Sequence, residues 1–180
     1  MASQAVINGM LSFAKKYGVD MIAALNNSPI FFAVMLVQGS NESGYGTSYS
    51  AVHRNNFFGI MEGKKKRVFN TPQDCFAFYA NLLTSSPVYV NAGVTTATDP
   101  YAQMRAIANA GYYDANTDDT LPVSQKTPNK IWTAQQSADH YFSTNKIFLD
   151  GILLSVKIGR INSSTIAQAK TSLVNITSLV

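Results

Sequence analysis

The stretch AVMLVQGSNESGYGTSYSAVHRNNFFGI, residues 33–60, decides how the rest of the chain is read. It opens apolar, reaches a single carboxylate at Glu42, breaks on Ser43-Gly44-Tyr45-Gly46 and closes on the aromatic turn Asn56-Phe57-Phe58-Gly59-Ile60. Just upstream, Ser28 can cap a helix and Pro29 can fill its first position, so one helix is expected to start there and end at Glu42. Val34, Gln38 and Glu42 are spaced by four and share a face, which sets Gln38 one turn from the acid. Burial beside aromatic groups raises a carboxyl pKa, and a carboxyl still protonated near neutral pH can hand its proton to a leaving oxygen. The plainer readings are a helix-end glutamate pointing into water and an amide bonded to backbone.

Composition bounds the class. With 180 residues, 46% hydrophobic and 13% charged, the chain is expected to form one globular domain over residues 1–180 and not a disordered segment. A net charge of +4 suits an anionic polymer without saying which. Lys64-Lys65-Lys66-Arg67 is the one dense basic run, read as a solvated hairpin tip; no aromatics are interleaved in it, so no nucleic-acid partner is expected. Cys75 is the sole cysteine, so no intrachain disulfide can form, and its apolar setting marks it as core. The longest apolar run, residues 30–37, is too short to span a bilayer, and Met1-Ala2-Ser3-Gln4 does not open a secretory leader. No ligand spacing joins His53 to His140, so neither metal nor cofactor is expected.

Working outward, Ser3 caps a first helix with Val6, Met10, Phe13, Ala14 and Tyr17 on its buried side, and Gly18 is expected to stop it. Met61 to Phe69 reads as a small hairpin turning at Glu62-Gly63-Lys64. Thr71-Pro72-Gln73-Asp74 opens a further helix, and Asp99-Pro100 another that ends at Gly111. Acids and amides alternate from Asp114 to Asp119, but a calcium loop needs glycine where Asp119 stands and glutamate where Gln125 stands; a polar loop rimming a cleft fits better. A linker from Thr120 to Lys130 then leads to a helix containing Trp132, Ala138 and Tyr141. Residues 147–161 carry no clear period, and Ser163-Ser164 is expected to cap a closing helix with Ile166, Ala169, Leu173 and Ile176 on one side.

Gln38 and Glu42-Ser43-Gly44-Tyr45-Gly46, followed by Asn56-Phe57-Phe58-Gly59-Ile60, resemble the paired signature of the bacterial glucosaminidase family. These are peptidoglycan hydrolases of glycoside hydrolase family 73, including flagellar muralytic domains and autolysins. Leu82-Leu83, Pro87-x-Tyr89 and Ala110-Gly111-Tyr112 also fall in the family's order, so the likeness covers about residues 23–114 and leaves residues 147–180 as a helical extension. The resemblance implies an α+β fold, mostly helical and lysozyme-like, with a small β-hairpin lobe and a groove between the lobes. It implies hydrolysis of the β-1,4 bond after N-acetylglucosamine, with Glu42 as general acid and Tyr112 stabilising the reacting sugar. Gln38, Tyr45, Asn56, Phe58, Tyr113 and Asp114 are the candidate substrate contacts.

The second carboxylate departs from the pattern. Many members of the family that the chain resembles carry an acid in a longer hairpin, whereas Glu62 is the only acid of this short one. At about 6.5–9.5 Å from Glu42 it would activate a water for inversion; turned to solvent, it would leave the sugar's own acetamido group as nucleophile. A lytic transglycosylase or muramidase is the rival enzyme reading, and a wall-binding or assembly module the rival from another class. The implied partner is the glycan strand of peptidoglycan, met in the periplasm or at the cell wall. No leader opens this sequence, so either a signal has been trimmed from it or the protein reaches the wall by another route, release by phage lysis or delivery by a secretion machine, with an immunity protein as a further partner of the last.

Overall fold

The computed structural model describes residues 2–112 and 133–178. Among them the order is α1 (Gln4–Ala24), α2 (Phe32–Glu42), α3 (Tyr49–Arg54), β1 (Met61–Glu62), β2 (Lys65–Lys66), α4 (Pro72–Ser85), α5 (Pro87–Asn91), α6 (Pro100–Asn109), α7 (Ala134–Ser155) and α8 (Ile166–Thr177). The architecture is the expected mostly helical, lysozyme-like α+β fold, with a two-stranded antiparallel sheet as its only β element among the described residues. Helix α1 packs against α2, α4, α7 and α8, while α7 lies along α6 and α2. The sheet is minimal: Met61 pairs with Lys66 and Glu62 with Lys65 around a turn in which Gly63 takes φ +61°. Lys64, Lys65 and Lys66 are exposed, as expected of a tip; Arg67 instead lies over the Phe78 ring at 4.3 Å.

Most helix starts are legible in side chains. Ser3 accepts from the Val6 amide, Thr71 and Asp74 form a reciprocal capping box, and Asp99 accepts from the amides of Tyr101 and Ala102. The start of α2 differs. Ser28 closes only a local turn, accepting from the Ile30 amide, and the helix begins at Phe32 without a side-chain cap of its own. Its orphan Phe31 N–H donates to Oε1 of Gln103 in α6 at 2.8 Å, and Gln103 Nε2 donates in turn to the carbonyls of Pro29 and Val94. Arg160, from the extended segment after α7, donates from Nε to the same Pro29 carbonyl at 2.9 Å and from its guanidinium to the Ala97 carbonyl. This helix is therefore begun by residues far along the chain.

Gly18 does not end α1, which runs on to Ala24. Helix α8 approaches there so closely that a Cβ on Gly18 would lie 2.6 Å from Leu173 Cδ2; the glycine is a contact point and not a stop. The closing helix starts at Ile166 and not at Ser163-Ser164, because Asn162 Oδ1 gathers the amides of Ser164 and Thr165 into a turn first. Its apolar side is as expected, with Ala169 and Leu173 buried and Ile166 and Ile176 half-buried. Residues 147–155 belong to α7, which Thr133 and Gln136 start with a capping box. Trp132 and the loop from Asp114 to Gln125 lie outside the described residues.

Two aromatic sets fill the core. Phe13, Tyr17, Phe57 and Phe76 run edge-to-face and stacked through its centre, and the free thiol of Cys75 sits beside them with its pKa pushed up to about 12 by burial, which suits a packing role and not a nucleophile. The second set surrounds Gln38. Its Oε1 accepts from the Tyr79 hydroxyl and its Nε2 donates to the Tyr141 hydroxyl, joining α2 to α4 and α7. Phe58 stacks on Tyr79 at 3.8 Å between ring centres and Tyr112 meets it edge-on at 6.0 Å. Burial above all, then the neighbouring Tyr141, Tyr89 and Glu42, holds the Tyr79 phenol well above its ordinary value of 10.0.

Two measurements check this packing. Gly18→Val should cost about 1–3 kcal/mol by overpacking, and in a Leu173→Ala background that penalty should shrink, read by chemical denaturation of the four proteins. Because the folded phenol of Tyr79 keeps its proton where the unfolded one loses it, its contribution is whole below pH 10.0 and fades above it. Stability should therefore fall as pH climbs past 10, and less steeply in Tyr79→Phe.

Candidate active site

The C-terminal turn of α2 brings its acid out of the core. Residues 32–40 are all buried, Asn41 is half-buried, and Glu42 is exposed, so the expectation of a buried carboxyl is corrected: the helix is inside and its last side chain is not. Ser43 fixes the exit by donating to the Gly39 carbonyl and accepting from the Gly46 amide at 2.8 Å. The chain then turns through three consecutive left-handed residues, Gly44 at φ +55°, Tyr45 at +57° and Gly46 at +81°. Gly46 is required twice, since a Cβ there would lie 2.8 Å from the Tyr17 ring. Tyr45 holds the same conformation with a bulky side chain, a costly state of the kind that surrounding contacts must maintain. Its ring lies against Gly9, where a Cβ would come within 3.2 Å.

Beside this turn is a trench of about 420 Å³. Ser40, Asn41, Glu42, Gly44 and Tyr45 form one side of it, and His140, Tyr141, Thr144, Asn145 and Phe148 of α7 form the other. Asn41 and Asn145 meet across it, Nδ2 of the first donating to Oδ1 of the second at 2.9 Å. Glu42 also acts on the aromatic set behind α2: its charge, after burial and the Tyr79 ring, helps hold the Tyr112 phenol well above 10.0. Tyr112 thus remains a neutral hydroxyl, and it donates to the Phe58 carbonyl at 3.2 Å.

The other expected contacts divide by burial. Tyr45 lines the trench, and Tyr112 is half-buried with its ring among Tyr79, Tyr89 and Tyr141. Gln38 is wholly buried with both ends of its amide taken by tyrosines, so it supports the wall from behind and does not line it. Asn56 is 1% exposed; its Nδ2 donates to the carbonyls of Ile60 and Arg67, and its Oδ1 accepts from the Ile60 amide. Its amide closes the aromatic turn onto the hairpin and is spent there. Phe58 is 4% exposed and stacked on Tyr79, again inside. Glu62 is exposed on β1, in register with Lys65. Tyr113 and Asp114 lie outside the described residues.

The wall supplied by α7 is what sequence reasoning missed. His140, Thr144 and Phe148 recur every four residues, next to the row of Tyr141 and Asn145, so both rows face one way. That spacing was readable, but nothing in residues 134–155 indicated that α2 would be the helix opposite. Among the described residues no group of three His, Cys, Asp or Glu side chains is placed to hold a metal ion.

Comparison with known proteins gives one result. No curated protein and no solved structure matches the chain significantly. A family model described as mannosyl-glycoprotein endo-beta-N-acetylglucosaminidase matches residues 18–169, which reaches past the signature residues and takes in the whole of α7. With most of its length inside that match, and the Glu42 turn and the α7 wall both within it, the chain belongs to the glucosaminidase family of glycoside hydrolases.

Proposed function

We propose that the protein is an endo-β-N-acetylglucosaminidase that cuts the β-1,4 bond following N-acetylglucosamine in peptidoglycan, with Glu42 as its general acid. The observation that carries this reading is position: in a family of glycan hydrolases, the one carboxylate in the trench wall among the described residues stands at the end of the helix that forms that wall. An acid held at a trench edge by a rigid, strained turn can meet a glycosidic oxygen and transfer a proton as the bond breaks. Tyr112, whose hydroxyl donates to the Phe58 carbonyl, can turn an oxygen lone pair toward the positive charge that develops on the sugar ring as the bond breaks.

Glu62 completes the mechanism as the base that activates water from the hairpin lobe. Its place opposite Lys65 also has a simpler account as a cross-strand charge pair, so its role is settled by function and not by position. If the glycan supplies its own acetamido group as nucleophile, Glu62 is dispensable. A glycan-cutting domain of this family acts where the wall is, in the periplasm or outside the cell, and no described helix is long and apolar enough to cross a membrane. Delivery by phage lysis or a secretion machine, and pairing with an immunity protein, remain part of this proposal.

Digestion of purified peptidoglycan tests the scheme, with products read by mass spectrometry. The parent protein should release glycans with N-acetylglucosamine at the reducing end; muramic or anhydromuramic ends would instead make it a muramidase or a lytic transglycosylase. Glu42→Gln should lower turnover by at least about 10²-fold while folding and wall binding persist. Undiminished clearing would remove Glu42 from the chemistry, and a parent that binds wall without cutting it would leave a binding module. Glu62→Gln should fall nearly as far; full activity in that variant would hand the nucleophile's role to the substrate.

A further inference from the structure

We propose that the β-hairpin and α3 together form a peripheral docking surface for a lipid bilayer of anionic headgroups, on which the protein rests without crossing it. The inference is separate from the cleavage reading. It concerns where the domain is held, and none of the residues it uses lines the trench.

Charge is gathered on this lobe. Among residues 43–73 Glu62 is the one acid, against Arg54, Lys64, Lys65, Lys66 and Arg67. On the longer helices cations close onto acids, Arg105 onto Asp139 at 2.6 Å and Lys146 onto Asp150 at 2.8 Å. The lobe's two guanidinium groups lie instead over rings, Arg54 at 5.6 Å from the centre of Tyr49 and Arg67 at 4.3 Å from that of Phe78, and they keep their charge there. Lys66 Nζ donates to the Gly59 carbonyl at 3.1 Å, while Lys64 and Lys65 are exposed at the tip. Helix and hairpin make one surface, because the Phe69 N–H donates to the Arg54 carbonyl at 2.9 Å and Asn55 Nδ2 to the Phe69 carbonyl at 3.0 Å.

Apolar side chains stand in water among these cations, and they decide what the surface fits. Tyr49, Val52, Met61 and Val68 are each more than half exposed. Tyr49 and Val52 share a face of α3, and Met61 is in register with Lys66, which places an apolar side chain and a lysine stem on one face of the ribbon. A hydrated polyanion would satisfy the charges and leave these side chains in water. A protein interface favours arginine and keeps lysine from its centre. An anionic bilayer uses both kinds of group: lysine stems reach the headgroups while Met, Val and Tyr settle at the boundary with the acyl chains.

The test is sedimentation of the full chain with vesicles of phosphatidylglycerol and phosphatidylcholine in equal parts, or of phosphatidylcholine alone, with inorganic polyphosphate as a soluble competitor. Binding should require the anionic lipid and weaken as salt rises. The double variant Lys64→Gln, Lys65→Gln should weaken it at least about tenfold, and Met61→Ser with Val68→Ser about fivefold. Lys157→Gln with Lys170→Gln removes the same charge from exposed positions near the C-terminus and should leave affinity within about twofold. Circular dichroism checks that each variant is folded; should the Met61 and Val68 pair unfold, Val52→Ser on α3 takes its place. No binding to anionic vesicles, equal binding to neutral ones, or an equal loss in the Lys157 and Lys170 variant overturns the proposal. Full binding by the apolar variant overturns it too, and displacement by polyphosphate would then give the surface to a soluble polyanion. Cleavage is not read in this assay, so the docking surface and the role of Glu42 stand or fall apart.

Discussion

The structure turns on one buried amide. Gln38 joins the hydroxyls of Tyr79 and Tyr141 and so ties α2 to α4 and α7 at a single level. A wholly buried amide is tolerable only when its polar ends are paired, and pairing both at once restricts where three helices can sit. Glu42 is one turn further along the same face of α2, so its position follows from that lock. The trench follows too, since its far wall is the helix that carries Tyr141.

Around this lock the functional surface is built from tension and support. Tyr45 adopts a left-handed backbone between two glycines that share it, and its ring is seated on Gly9 of α1. The aromatic turn behind it owes its shape to the side-chain amide of Asn56, which is spent on the carbonyls of Ile60 and Arg67 and the amide of Ile60. A signature can thus be dense in polar and aromatic residues and still be mostly scaffold. Gln38, Asn56 and Phe58 are buried behind the trench, while Glu42 and Tyr45 line it.

That division explains what the sequence could show. Helix starts were legible where the cap is local, at Ser3, Thr71 and Asp99, and the hairpin was legible from Gly63 and its flanking residues. The start of α2 was not, because its cap is Gln103, 72 residues away, and no local pattern encodes a partner at that distance. Gly18 misled for a related reason: a glycine that ends a helix and a glycine that admits a neighbouring helix look the same until Leu173 is in place. The side of α2 bearing Glu42 could be identified from spacing, but not its exposure or the contribution of α7. Both depend on contacts more than 100 residues apart in the chain, such as those of Gln38 with Tyr141 and Asn41 with Asn145.

The attachment of Arg160 to the Pro29 carbonyl, 131 residues upstream, bears on how the molecule comes into being. Contacts this non-local must wait for loop closure before they repay its entropy. During synthesis α2 leaves the ribosome before the ties at its head, which arrive only with residues 103 and 160. The head of α2 is consequently fixed only after residues 103 and 160 have been made, and a nascent fragment without them holds the Glu42 turn without the contacts that begin its helix.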